Sequence, residues 1–193
     1  IHKNGSTRWI RNTPVPRKDN RGRLVAYDGL VYDITERKRA EIALRESQER
    51  LALVIQGSND GIWDWNLTRG DVYFSPRWKS MLGYEDREIG KHISDWEKLL
   101  HPDDVARALA EIKSYLNSEK PTYECEYRLR HKDGSYRWIL ARAVALRGTK
   151  GTPVRMAGSH IDLTERKQAE ERLTVAYREL EANEEELKRT LEE

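Results

Sequence analysis

Five histidines and one cysteine are the residues of this 193-residue chain best suited to chemistry, and their spacing argues against most of it. His2, His92, His101, His131 and His160 are scattered, with no two at the spacing that puts a pair of imidazoles on one metal ion. Cys125 stands alone, which excludes an internal disulfide and a thiolate zinc cluster and fits a reducing compartment. No serine or cysteine lies in a nucleophile motif and no glycine-rich loop matches a phosphate cradle, so the chain reads as non-enzymatic. What remains is charge placement. In an antiparallel hairpin turning near residues 149 and 150, Arg137 stands opposite Asp162, just where a strand becomes a helix. As a plain surface ion pair it would contribute about 0 to 1 kcal/mol.

The same pair occurs twice, because residues 2–41 return as residues 131–170 at a constant offset of 129, without a gap and with 18 identities. Arg8, Asp33 and Thr35 are thus the counterparts of Arg137, Asp162 and Thr164. The chain is expected to begin partway through one folding unit and then to contain a whole one.

Composition bounds the partners. Lys plus Arg number 35 against 33 for Asp plus Glu, which gives no general pull toward nucleic acid or anionic lipid. No apolar run is long enough to span a bilayer, and the start is not a targeting segment. The reading is cytoplasmic, with any membrane anchor of the parent lying elsewhere.

The elements that must position these residues follow from pattern. Residues 7–17 and 24–34 read as a hairpin, and a helix from Thr35, as N-cap, carries Ala40, Leu44, Ser47, Leu51 and Val54 at alternating spacings of four and three. Residues 61–67 and 72–75 read as a second hairpin. Ser75-Pro76 opens a short helix that Gly83 ends, with Trp78, Met81 and Leu82 on one face. His101-Pro102-Asp103-Asp104 opens a longer one with Val105, Ala108, Leu109, Ile112 and Leu116 as its apolar stripe. Tyr123, Cys125, Tyr127 and Leu129 alternate with charges in a half-buried strand, and residues 137–146 and 154–163 complete a meander. The last helix repeats the coiled-coil stripe in Ala169, Leu173, Ala176, Leu180, Asn183, Leu187 and Thr190. The expected class is α+β: a five-stranded antiparallel sheet with helices on one face and coiled-coil helices flanking it. Expected boundaries are a hairpin at 1–36, a connecting helix at 37–57, the complete unit at 58–163 and an outgoing helix at 164–193.

Gly61-Ile62-Trp63-Asp64-Trp65, Ser75-Pro76-Arg77-Trp78, Met81-Leu82-Gly83-Tyr84, His101-Pro102-Asp103-Asp104, His131-Lys132-Asp133-Gly134-Ser135-Tyr136-Arg137-Trp138 and Asp162-Leu163-Thr164-Glu165-Arg166-Lys167, in that order, resemble a PAS domain with its C-terminal PAC segment. The match covers about residues 45–170, and residues 1–44 resemble the end of a preceding PAS domain. The resemblance implies a sensory or dimerisation module of a multidomain signalling protein, a histidine kinase first and a diguanylate cyclase second. Haem is not expected, since haem-holding relatives supply a histidine from the long helix and none lies there. A photoadduct-forming flavin is not expected, since Cys125 lies on a strand.

The family keeps ligands between sheet and helices. Trp63 and Trp65 share one face of the first strand with Leu67, while Asp64 and Asn66 share the other with Ile62. If Asp64 and Asn66 point inward with Tyr127 or Arg142, the pocket suits a polar metabolite; if the tryptophans do, it is filled. The filled reading is favoured, and Trp78, Met81, Ile112 and Leu116 are core in both. By resemblance, Arg137–Asp162 with Thr164, and Arg8–Asp33 with Thr35, clamp the junction through which strand movement reaches a helix. Leu173, Leu180 and Leu187 would form the seam of a parallel homodimer. The competing reading is a ligand-free scaffold that only sets dimer geometry.

Overall fold

The computed structural model describes Gly5 and residues 7–192, which divide into two compact units, Ile1–Ser58 and Asn59–Glu193. In the first, β1 (Ile10–Lys18) pairs antiparallel with β2 (Leu24–Asp33), and α1 (Thr35–Ser58) follows directly. Pro14 and Pro16 lie within β1, opposite Gly29 and Tyr27. Large apolar side chains of this hairpin stay in solvent, Ile10 at 61% and Leu30 at 64% exposure.

The second unit runs β3 (Gly61–Asn66), β4 (Val72–Phe74), α2 (Pro76–Met81), a single 3-10 turn (Asp86–Glu88), α3 (Ile93–Glu97), α4 (Pro102–Leu116), β5 (Tyr123–Arg130), β6 (Tyr136–Arg147), β7 (Pro153–Asp162) and α5 (Thr164–Glu192). Its five strands form one antiparallel sheet in the order β4-β3-β7-β6-β5. The 3-10 turn and α3 were not resolved from the pattern: each is too short to show a period. Ser75 Oγ accepts from the Trp78 amide at 3.2 Å to start α2, and Gly83, at φ +78°, ends it in the left-handed conformation that glycine adopts without strain.

Two expectations about helices need correction. Thr35 is not the N-cap: Ile34 C=O already accepts the first helical bond from Lys38 N at 3.0 Å, so Thr35 is the first helical residue and its hydroxyl serves a different partner. On α4, Leu109 is 37% exposed, whereas Ala108 and Tyr115 are buried. The phenol of Tyr115 accepts the Ala145 amide at 2.9 Å, so an aromatic residue with a polar tip takes a place assigned to the aliphatic stripe.

The core lies between the sheet and its short helices. Trp78, Leu82, Leu129, Ile139 and Met156 are at most 2% exposed, and Trp63, Phe74, Trp96 and Tyr127 join them. β5 is one of the sheet's two edge strands, and the N-terminal end of α4 runs along it. His101 N–H donates to Arg128 C=O at 2.9 Å, and Arg107 Nη2 donates to Glu126 C=O at 2.8 Å.

Candidate functional site

The strand alternation of β3 decides the face left open by the sequence. Trp63 is 7% exposed and Trp65 packs against the core, so the tryptophans point inward. Asp64 turns outward to an ion pair with Arg155, and Asn66 Oδ1 accepts the amides of Thr68 and Arg69 in the β3–β4 turn. Arg142 lies on the outer face and pairs with Glu124 at 2.7 Å. These three residues are therefore not pocket residues. Period two places them opposite the residues that the helices cover.

A cavity of about 20 Å³ remains, lined by Trp63, Trp65, Ile112 and Tyr127 from the nominated set. Val72, Phe74, Ile93, Trp96, Tyr123 and His160 complete it. Trp78 and Met81 are buried in the surrounding core and Leu116 packs against it. The space is about what one or two waters need. The tryptophan side chains fill most of the volume between sheet and helices.

His160, on β7, organises this wall. Trp78 Nε1–H donates to its Nδ1 at 2.7 Å, and an indole nitrogen can only donate. The neutral ring therefore carries its proton on Nε2, which donates to the Tyr127 hydroxyl at 2.8 Å. Burial without a charged partner holds the imidazole pKa down to about 3, so the ring stays neutral through the physiological range. Burial likewise pushes the Tyr127 phenol upward. Trp63, Trp65 and Trp96 Nε1 and the Tyr123 hydroxyl, all from cavity-lining residues, are buried without a hydrogen-bond partner. From sequence, His160 read only as surface or satisfied core; its place on the same face of β7 as Met156 was a usable signal, but its two partners lie far away along the chain. Cys125 is buried beside Arg107 Nη1 (3.5 Å), and His101 caps α4 by accepting the Asp103 amide at 3.2 Å.

The strand-to-helix junction is built the same way in both copies. Trp9 N–H donates to Thr35 Oγ1 at 2.9 Å, and Trp138 N–H to Thr164 Oγ1 at 2.9 Å. Thr35 N–H donates to Asp33 Oδ1 at 2.9 Å, and Thr164 N–H to Asp162 Oδ1 at 2.8 Å. Both threonines are 4% exposed. Hydrogen bonds from Thr35, and then from Arg8, hold the Asp33 carboxyl down to about 2.

The arginine partner does not repeat. Arg8 Nη1 donates to Asp33 at 2.7 Å, whereas Arg137 stands opposite Leu129 with its Nε buried and without a hydrogen-bond partner. The expected register was also two residues short. Ile139, not Arg137, faces Asp162, because a bulge at Leu146/Arg147 and the turn closed by Gly148 N–H to Thr152 C=O shift the centre of the hairpin. In the first copy Ile10 faces Asp33, and Arg8 reaches the carboxylate diagonally.

The first turn of α5 is seated on the outer face of the sheet. Lys167 pairs with Glu126 of β5 at 2.8 Å and lies over the Trp138 ring at 5.5 Å, and Arg128 lies over the same ring at 5.3 Å. Neither Glu126, Arg128 nor Lys167 was singled out in the sequence. Each looks like one more charge in a charged background, and only strand adjacency brings them together. Beyond Lys167, every described residue of α5 with an assigned exposure is exposed, Leu173 and Leu180 at 58% and 55%; the Leu187 side chain lies outside the described residues.

Known proteins are similar to this chain in sequence and fold. The PAS fold family model matches residues 71–160. A sensory box histidine kinase/response regulator from Burkholderia thailandensis, solved as a crystal structure, is 42% identical, aligns over 69% of this chain and 98% of that one, and superposes with a TM-score of 0.59. A methyl sulfide methyltransferase-associated sensor of Methanosarcina acetivorans is 25% identical across 94% of this chain and 18% of its own length. A probable diguanylate cyclase of Escherichia coli is 30% identical across 89% of this chain and 15% of its own. The chain thus spans about a fifth or less of these two curated relatives. The family-model match together with 42% identity along nearly the whole of the solved relative shows that the chain belongs to the PAS family.

Proposed function

We propose that this chain is the sensory and dimerisation region of a multidomain signal-transduction protein, with a histidine kinase as the downstream effector and a diguanylate cyclase as the second choice. One observation carries the reading: α5 begins on the sheet's last strand through buried Thr164 and continues for 29 residues with Leu173 and Leu180 exposed. A helix fixed at one end and unburied along an apolar stripe of alternating four and three spacing suits a parallel coiled coil with a second copy. The near-repeat of the hairpin and its junction supports reading residues 1–36 as the end of a neighbouring PAS domain. The domain works without haem or flavin, since Cys125 is packed in a strand and α4 carries no histidine. The unpaired cysteine fits a cytoplasmic location.

The test uses the full-length parent. Seven residues inserted after Ala176 keep the seam in phase, and three or four displace it. Stimulus-dependent output should survive the first insertion and lock on or off with the others. Normal regulation in all three would make the helix a passive tether. In light scattering, Leu180→Lys should convert dimer to monomer.

A second reading is favoured by the 20 Å³ cavity: a filled core suits a ligand-free scaffold. Native mass spectrometry and thermal shift against a metabolite panel separate the two, because only a sensor with a small-molecule ligand yields a stoichiometric adduct and a raised melting point.

A further inference from the structure

We propose that the Trp138 indole is a coupling point through which the N-terminus of α4 controls the first turn of α5. The chain of contacts starts at Asp104, which is 6% exposed. Its Oδ2 accepts both Arg128 N–H and Arg128 Nε at 2.9 Å, and its Oδ1 accepts Arg128 Nη2 at 3.2 Å. The Arg128 hydrogen bonds hold this carboxyl down to about 2, so it is ionised under ordinary conditions. Arg128 is thereby fixed to α4 and at the same time lies over Trp138, the ring that also carries Lys167 of α5. Arg128 has a single guanidinium to place. It cannot follow a displaced Asp104 without changing its position on the indole.

The other end is equally bounded. Trp138 is tied to the junction by its own backbone, with N–H to Thr164 Oγ1 at 2.9 Å and C=O accepting Leu163 N–H at 2.7 Å. Lys167 is the last described residue of α5 that is not exposed, so loosening it releases the helix from the domain. In the first copy no described residue corresponds to Arg128 or Asp104. There Lys38, the counterpart of Lys167, pairs with Glu41 of its own helix at 2.9 Å, and Trp9, the counterpart of Trp138, is 48% exposed. The same tryptophan and lysine therefore need β5 and α4 beside them to make the connection.

α4 also lines the cavity through Ile112, so anything that moves α4 reaches α5 by this route. That use in signalling rests on the sensory reading above; the coupling itself does not.

Hydrogen exchange read by mass spectrometry on the purified chain tests the coupling without ligand or effector. Asp104→Asn, which touches nothing on α5, should speed exchange in residues 165–170 by roughly fivefold. Lys167→Met should do the same, and the double variant should add little to either. Lys167→Arg, which keeps charge and stacking, should restore protection. Leu109→Ala, on the same helix but exposed and outside the chain of contacts, should leave residues 165–170 protected. Unchanged exchange in Asp104→Asn, or purely multiplicative effects in the double variant, would overturn the proposal. If Asp104→Asn fails to fold, Trp138→Phe takes its place: its weaker ring face should speed exchange in the same peptide, and full protection would overturn the coupling. A ligand screen that finds nothing would remove the sensory reading and leave this result standing.

Discussion

The two copies of the hairpin and exit helix share 18 of 40 residues but live in different surroundings. Register repeats: Ile10 opposite Asp33, Ile139 opposite Asp162. The Asp–Thr junction repeats to within about 0.1 Å in both of its hydrogen bonds. Burial does not repeat. Ile10 is 61% exposed and Ile139 is fully buried. Local chemistry therefore suffices for the turn from strand to helix, whereas packing, the charge partners of Lys167 and the seat of Arg137 depend on neighbouring strands.

The comparison breaks most visibly at the paired isoleucines. Ile139→Ala should cost about 2–5 kcal/mol in urea unfolding, as buried large-to-small changes do. Ile10→Ala should stay within about 0.5 kcal/mol, because it leaves no cavity. Equal costs would mean that the first hairpin is covered in solution.

Acid should distinguish the units next. The His160 pKa is depressed in the folded state to about 3 from 6.5, so between these values the unfolded chain binds a proton that the folded one refuses. Stability is thus fully present above pH 6.5 and falls as pH is lowered toward 3, by up to about 1.4 kcal/mol per unit. The equivalent residue of the first copy is Val31. His160→Val should lower stability at pH 7, by orphaning the Trp78 and Tyr127 partners, yet flatten that pH slope; a slope that persists would assign the acid sensitivity elsewhere.

Thr164→Val should cost about 1–3 kcal/mol, since it strands the Trp138 amide without an acceptor. Thr35→Val should cost less, with water reaching the more exposed Trp9. Chemical denaturation followed by far-ultraviolet dichroism reads both. The smallest effect concerns Arg8. Because the Thr35 hydroxyl and amide lower Asp33 alongside Arg8, Arg8→Ala should leave that carboxyl below 3.8 in an NMR titration. A carboxyl that returns to 3.8 would make the ion pair the true clamp.

Much of the second unit was legible because its signals are local. Ser75-Pro76 with Gly83 marked α2, alternation from Tyr123 marked β5, and the repeat marked the final hairpin. The site was less legible. Inward tryptophans could be told from inward Asp64 and Asn66 only once β7 and the helices were in place, and His160 meets Trp78 and Tyr127 across 82 and 33 residues. The Arg137 register failed for a related reason: one bulge moves every pair beyond it, and nothing in Leu146-Arg147 announces a bulge.

Pro14 and Pro16 set a limit on assembly. The residues in their places in the second copy are Ala143 and Ala145, and Ala145 points its N–H away from β7, to Tyr115. A proline there has no hydrogen to offer on that side, so a further strand laid against β1 loses its donors from Pro14 onward. In the complete sheet, β5 stops at Tyr123, which faces Ala143. The two prolines therefore act as a gauge of strand length: a strand as long as β5 can add to β1, while the part of a longer strand beyond Thr13 meets no amide donor at Pro14 or Pro16.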